Sequence, residues 1–95
     1  AYGCTVNLYM TEGYPAVMNP PDLHRRVRRA VGFFELDTPS MTAEDFSWYQ
    51  KSLPGMFFFL GTGDTAPLHS DTFDFNEDIL LKGVRFFEDL AESFV

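Results

Sequence analysis

Ninety-five residues define one small domain, which at this size buries roughly 60 to 70 % of the surface its unfolded form exposes. Fourteen Asp and Glu against seven Lys and Arg give a formal net charge of −7, which opposes binding to nucleic-acid phosphates or to an anionic membrane surface. The single cysteine, Cys4, excludes an internal disulfide and a multi-cysteine zinc site, as expected of a reducing, cytoplasmic setting.

No charged-then-apolar leader precedes Cys4, and the opening at Ala1 without a methionine reads as a cut edge. Thr5-Val6-Asn7-Leu8-Tyr9-Met10-Thr11 alternates in polarity at period two and predicts a half-buried strand, which Glu12-Gly13 ends. After Tyr14-Pro15-Ala16-Val17-Met18 come Asn19, Pro20, Pro21 and Asp22. An amide that can cap, a proline for the first helical position and an acid for the positive end of the dipole predict a helix start. Leu23, Val27, Ala30 and Val31 share one face of that helix, expected to lie on a sheet, and Arg25, Arg26 and Arg29 point away from it. Gly32 is placed to stop it, with a short strand over 33–36. The arginines, Arg28 among them, read as a solvated face more readily than as an anion patch.

Thr42 can cap a second helix over 43–52, whose first turn holds Glu44 and Asp45, and Pro54-Gly55 closes it. Met56-Phe57-Phe58-Phe59-Leu60 is far short of the roughly 20 apolar residues of a membrane span. It reads as a strand buried on both faces. Ligands of open α/β sheets sit beyond the carboxyl ends of such strands, and here Gly61-Thr62-Gly63-Asp64 and then His69 follow. Asp74 or Asn76 can cap a last helix with Leu80, Val84, Phe87, Ala91 and Phe94 as its buried stripe. The predicted class is α/β, with helices packed on a buried, mostly parallel sheet.

Few residues here carry chemistry by themselves. His69 in Pro67-Leu68-His69-Ser70-Asp71 is placed to ligate a metal or move a proton, or simply to bond a backbone carbonyl. His24 has no second ligand at i+4, and Glu44-Asp45 is explained equally by the helix dipole. Cys4 reads as a small core residue. Gly61-Thr62-Gly63 lacks both the third glycine of a dinucleotide fingerprint and the lysine of a phosphate loop, which leaves its glycines as turn makers.

Three ordered blocks carry a resemblance. Met41-Thr42-Ala43-Glu44-Asp45-Phe46-Ser47-Trp48-Tyr49, then Leu53-Pro54-Gly55-Met56-Phe57-Phe58-Phe59-Leu60-Gly61-Thr62-Gly63, then Leu68-His69-Ser70-Asp71-Thr72-Phe73-Asp74-Phe75 resemble the C-terminal third of the metal-dependent amidohydrolases. Hippurate hydrolase, indole-acetyl-amino-acid hydrolase and N-acetyl-diaminopimelate deacetylase represent that family within the aminoacylase and carboxypeptidase group of metallopeptidases. Tyr14-Pro15-Ala16-Val17-Met18-Asn19 is similar to the family's return from its inserted dimerisation, or lid, domain. The resemblance implies that residues 1–18 are the last strand and return of that inserted domain, and that residues 19–95 are the C-terminal part of the α/β catalytic domain.

It also implies a hydrolase of N-acyl amino acids with a pair of divalent metals (Mn, Zn or Ni), a bridging water as nucleophile and a glutamate as base. One family ligand falls in this chain, His69. The family's Cys-x-His pair, adjacent glutamates and other histidine belong upstream, and Cys4 does not match that cysteine. The departures are Thr42-Ala43, where Gly-Ser or Gly-Ala is frequent, and a short stretch between Gly32 and Met41. The expectation is a C-terminal piece that is inactive alone, holds no metal tightly, and associates with further copies or with the rest of its chain. The alternative is a small acidic binding or assembly module without catalysis.

Overall fold

The computed structural model describes residues 2–95, so the opening at Ala1 lies outside the described residues. Three helices form: α1, Pro21–Ala30; α2, Phe46–Tyr49; and α3, Asp78–Ser93. None of them is long and apolar enough to cross a membrane.

α1 starts where its prolines and acid permit, with Pro20 as cap residue, Pro21 in the first turn beside Asp22, and Arg28 and Arg29 in the last turn. Its apolar face is the predicted one: Val27 and Val31 are buried, and Leu23 and Ala30 half-buried. That face meets α3, not a sheet. α2 is much shorter than the predicted 43–52. The Thr42 hydroxyl lies 3.0 Å from that of Ser40 and does not cap, and the amides of both Ser52 and Leu53 converge on the Tyr49 carbonyl at 3.0 Å, tightening the chain into turns. Asn76 serves α3 as expected, its Oδ1 accepting from the Asp78 amide at 2.9 Å.

The buried stripe of α3 is offset by one residue from the prediction. Ile79, Gly83, Phe86 and Leu90 turn inward, whereas Leu80, Val84 and Phe87 are exposed. A run of apolar pairs such as Ile79-Leu80 and Phe86-Phe87 fits either stripe by spacing alone. The partner decides, and here it is the phenylalanine segment.

That segment organises the interior. The Phe58 ring stands 5.6 Å from Phe33 and 4.8 Å from Phe86 of α3, both edge-on. Phe57 turns the other way, 5.5 Å from Phe46 of α2 and 5.2 Å from Phe59. Contacts therefore alternate along the segment, as they do in extended backbone. Gly55 permits the approach of α2, since a Cβ there would lie 2.8 Å from Phe46 Cζ.

The predicted α/β class is nevertheless corrected: among the described residues there is no strand and no sheet. A strand exists only through hydrogen bonds to a neighbouring strand, and residues 5–11, 33–36 and 56–60 find none. In the first of these Val6 and Tyr9 are 82% and 90% exposed. In place of a ladder, two carboxamides bind the backbone. Asn19 does not cap α1. Its Oδ1 accepts from the Phe57 amide at 2.8 Å and its Nδ2 donates to the Phe57 carbonyl at 3.0 Å. Gln50 does the same for Met18, accepting from its amide at 3.0 Å and donating to its carbonyl at 3.1 Å, and also donates to the Gly55 carbonyl at 2.8 Å.

The result is open. The chain exposes 8,929 Å², against about 5,600 Å² for a compact monomer of its mass. Its radius of gyration is 18.8 Å, with extents of 65 × 36 × 23 Å, where about 12 Å is usual for this length.

Candidate functional site

The loop that carries His69 is a series of linked turns. Gly63 takes a positive φ of 82°, as a turn-making glycine does, and the Thr62 and Thr65 hydroxyls lie 3.1 Å apart. The Ser70 amide then donates to the Pro67 carbonyl at 3.1 Å, making a four-residue turn with His69 in its third position. His69 has a φ of 67°, alone among the described residues other than glycine in having a positive value. That is the backbone of a turn which ordinarily selects glycine or asparagine there. A second turn follows, closed by the Phe73 amide on the Ser70 carbonyl at 3.1 Å, with the Ser70 hydroxyl accepting from the Thr72 amide at 3.2 Å. The imidazole is exposed at the tip. A side chain in so uncommon a conformation marks a functional position when its surroundings hold it there.

The other candidate residues serve the chain itself. Glu44 Oε1 accepts from the Phe46 amide at 3.3 Å, and its carbonyl accepts the Ser47 hydroxyl at 2.8 Å, which leaves Ser47 the most deeply buried side chain described. The neighbouring Asp45 carboxylate, through hydrogen bonding first and its negative charge second, and then loss of hydration raise the Tyr14 phenol above its ordinary range. The Tyr14 ring meets Trp48 edge-on at 6.1 Å.

His24 Nε2 lies 3.4 Å from Glu35 Oε1, which also pairs with Arg28, and the His24 ring packs edge-on against Phe33 at 5.3 Å. Arg25 pairs with Asp22, and Arg26 stacks over the Phe94 ring at 3.7 Å. Three of the four helical arginines thus have partners within the chain, as befits a structural face. Cys4 is exposed, not in the core as predicted, with its thiol 3.6 Å from the Tyr2 carbonyl.

A divalent metal pair does not fit the residues present. No three His, Cys, Asp or Glu side chains converge among the described residues, whereas a tight protein site takes three or four. An open depression of about 450 Å³, lined by Pro15, Ala16, Met18, Ser47, Gln50 and Lys51, does not include His69. Sequence reasoning missed the two carboxamides that fix the chain crossings. Asn19 sits where a cap is expected, and Gln50 carries no local signal for a partner 32 residues away.

Comparison with known proteins places these features in a family. The model of peptidase family M20/M25/M40 matches residues 3–93. The N-acetyldiaminopimelate deacetylase of Limosilactobacillus fermentum is 37% identical over 102 aligned positions, covering 100% of this chain and 25% of the relative. Uncharacterized hydrolases of Staphylococcus saprophyticus and Staphylococcus aureus strain USA300 are each 33% identical, over 93 and 94 positions, covering 87% of this chain and 24% of theirs. No solved structure matches. The chain spans about a quarter of the length of these relatives, and with the family model running almost from end to end it belongs to peptidase family M20/M25/M40.

Proposed function

We propose that this chain is the C-terminal part of a two-metal amidohydrolase of N-acyl amino acids, contributing His69 as one metal ligand and inactive without the remainder. In this reading residues 1–18 are the return from an inserted dimerisation domain, and residues 19–95 belong to the catalytic domain. The assembled hydrolase would be cytoplasmic and act on a small substrate. The observation that carries the reading is the family match over residues 3–93 in a chain a quarter as long as its relatives. Membership of a generally metal-dependent family, a deacetylase among the relatives and the exposed, positive-φ His69 support it. Against a self-sufficient binding module stands the exposed surface, about 3,300 Å² beyond that of a compact monomer of this mass.

The test combines the 95-residue chain with the Limosilactobacillus relative lacking its matched stretch, in the presence of Mn²⁺ or Zn²⁺, and follows amine release from N-acetyl amino acids. The chain alone should give no turnover. The mixture should turn over, and His69→Gly, which suits the same positive φ, should abolish that turnover without disturbing the loop. Robust turnover by the chain alone, or full activity of the glycine variant in the mixture, overturns the reading.

A further inference from the structure

The two backbone edges of the phenylalanine segment are unequal. Its faces are engaged, with the Phe58 ring against Phe33 and Phe86 and the Phe57 ring against Phe46. In an antiparallel pair, facing residues at every second position exchange both N–H···O=C bonds. The Asn19 carboxamide imitates such a facing residue at Phe57, accepting from its amide and donating to its carbonyl. That fills the edge on which Phe57 presents its polar groups. In extended backbone the opposite edge belongs to Met56, Phe58 and Leu60, and among the described residues none of these three has a hydrogen bond to its N–H or C=O. Leu60, at the end of that edge, is 50% exposed. Unpaired strand edges of this kind are templates for another chain.

We propose that this free edge pairs with the same edge of a second copy, antiparallel about a two-fold axis at Phe58. The symmetry sets Phe58 opposite its counterpart and Met56 opposite Leu60, so that every free group of the edge finds a partner in one register. The strand arises only between copies, since the single chain offers the edge no neighbour. Charge permits the contact. Each chain carries a formal net charge of −7, but Met56 to Leu60 contains no charged residue, so no like charges are set face to face. Residues 5–11 are also uncharged and unpaired, but Val6, Leu8, Tyr9 and Met10 are largely exposed and would have to be ordered on binding, whereas ring contacts already hold Phe57 and Phe58. The area is ample, because a standard interface covers about 800 Å² per partner and the chain exceeds a compact monomer by roughly 3,300 Å². The pairing needs no other part of an M20 hydrolase and stands or falls apart from the functional reading above.

The experiment takes the 95-residue chain through a concentration series, by sedimentation equilibrium and by amide hydrogen exchange in NMR. A monomer–dimer equilibrium should appear, and the amides of Met56, Phe58 and Leu60 should gain protection as the dimer forms while that of Phe59 does not. In a mixture of differently labelled copies, Hα–Hα nuclear Overhauser effects should link Phe57 of one copy to Phe59 of the other, the close pair flanking Phe58. Leu60→Pro removes an edge amide and should weaken the dimer at least tenfold, whereas Leu60→Ala, which keeps the amide, should stay within threefold of wild type, both with helicity unchanged by circular dichroism. Added salt should tighten the dimer by screening the net charge of the two copies. A chain still monomeric at roughly millimolar concentration, protection confined to residues 5–11, or an equal loss from Leu60→Ala and Leu60→Pro overturns the pairing. Dissociation by salt assigns the contact to ion pairs and overturns it as well. A chain monomeric by itself that is taken up by the Limosilactobacillus relative lacking its matched stretch overturns the second copy as occupant.

Discussion

Replacing Asn19 by alanine isolates the contact that stands in for a strand on the phenylalanine segment. The substitution removes two hydrogen bonds, to the Phe57 amide at 2.8 Å and the Phe57 carbonyl at 3.0 Å. Each is worth about 0.5–1.5 kcal/mol net, and partial hydration of the exposed pair favours the lower half, so the loss is about 1–2 kcal/mol. Local opening at Phe57 then rises by roughly 5- to 30-fold. The assay is amide hydrogen exchange by NMR on the 95-residue chain, read at Phe57. Asn19→Asp sharpens it, because a carboxylate still accepts from the amide but cannot donate to the carbonyl and sets like-signed oxygens face to face. Its exchange rate should fall between those of wild type and alanine. Gln50→Ala should free the Met18 amide in the same way, since Gln50 accepts from it at 3.0 Å. An unchanged Phe57 rate in Asn19→Ala would refute the reasoning, and the segment would then be held by its ring contacts alone.

Two further outcomes follow from side-chain geometry. The raised Tyr14 phenol should move back toward its ordinary value of 10 in Asp45→Asn, as followed by ultraviolet titration of the chain. The sign is that of an acid holding its proton more tightly when folded. Its contribution is intact below the unfolded pKa and is lost as pH rises from about 10 through the folded value, and a Tyr14 titration identical in both proteins would contradict the assigned cause. Gly55→Ala should drive the Phe46 ring from its place, because the new Cβ would meet Cζ at 2.8 Å. The expected cost is about 1 kcal/mol, at the low end for overpacking because a ring tip can swing, and the Phe46–Phe57 nuclear Overhauser effects should disappear. Their retention at full strength would show that the backbone yields instead.

Much of the local structure is legible in the residues themselves. Pro20-Pro21-Asp22 sets the start of α1, and the spacing of Leu23, Val27 and Val31 sets the face it buries. Gly63 makes its turn. Other features depend on partners far along the chain. Asn19 has a good local use as a cap and a better distant one at Phe57, and no periodicity distinguishes the two. Adjacent apolar pairs left the inward stripe of α3 ambiguous by one residue. The α/β expectation failed for the same reason, since a helix closes its hydrogen bonds within itself whereas a strand needs a neighbour.

The sequence by itself determined the family, through its three ordered blocks, and singled out His69 as the candidate metal ligand. Only the tertiary structure showed that His69 stands at the tip of a positive-φ turn with no companion ligands converging beside it. Only the tertiary structure showed, too, that Arg25, Arg26, Arg28 and Glu44 are engaged within the chain. The physical reason is one of range. Turn preference, helix caps and motif identity act over a few residues, while ligand convergence and strand pairing require surfaces brought together from afar, and about 3,300 Å² of such surface here still faces solvent.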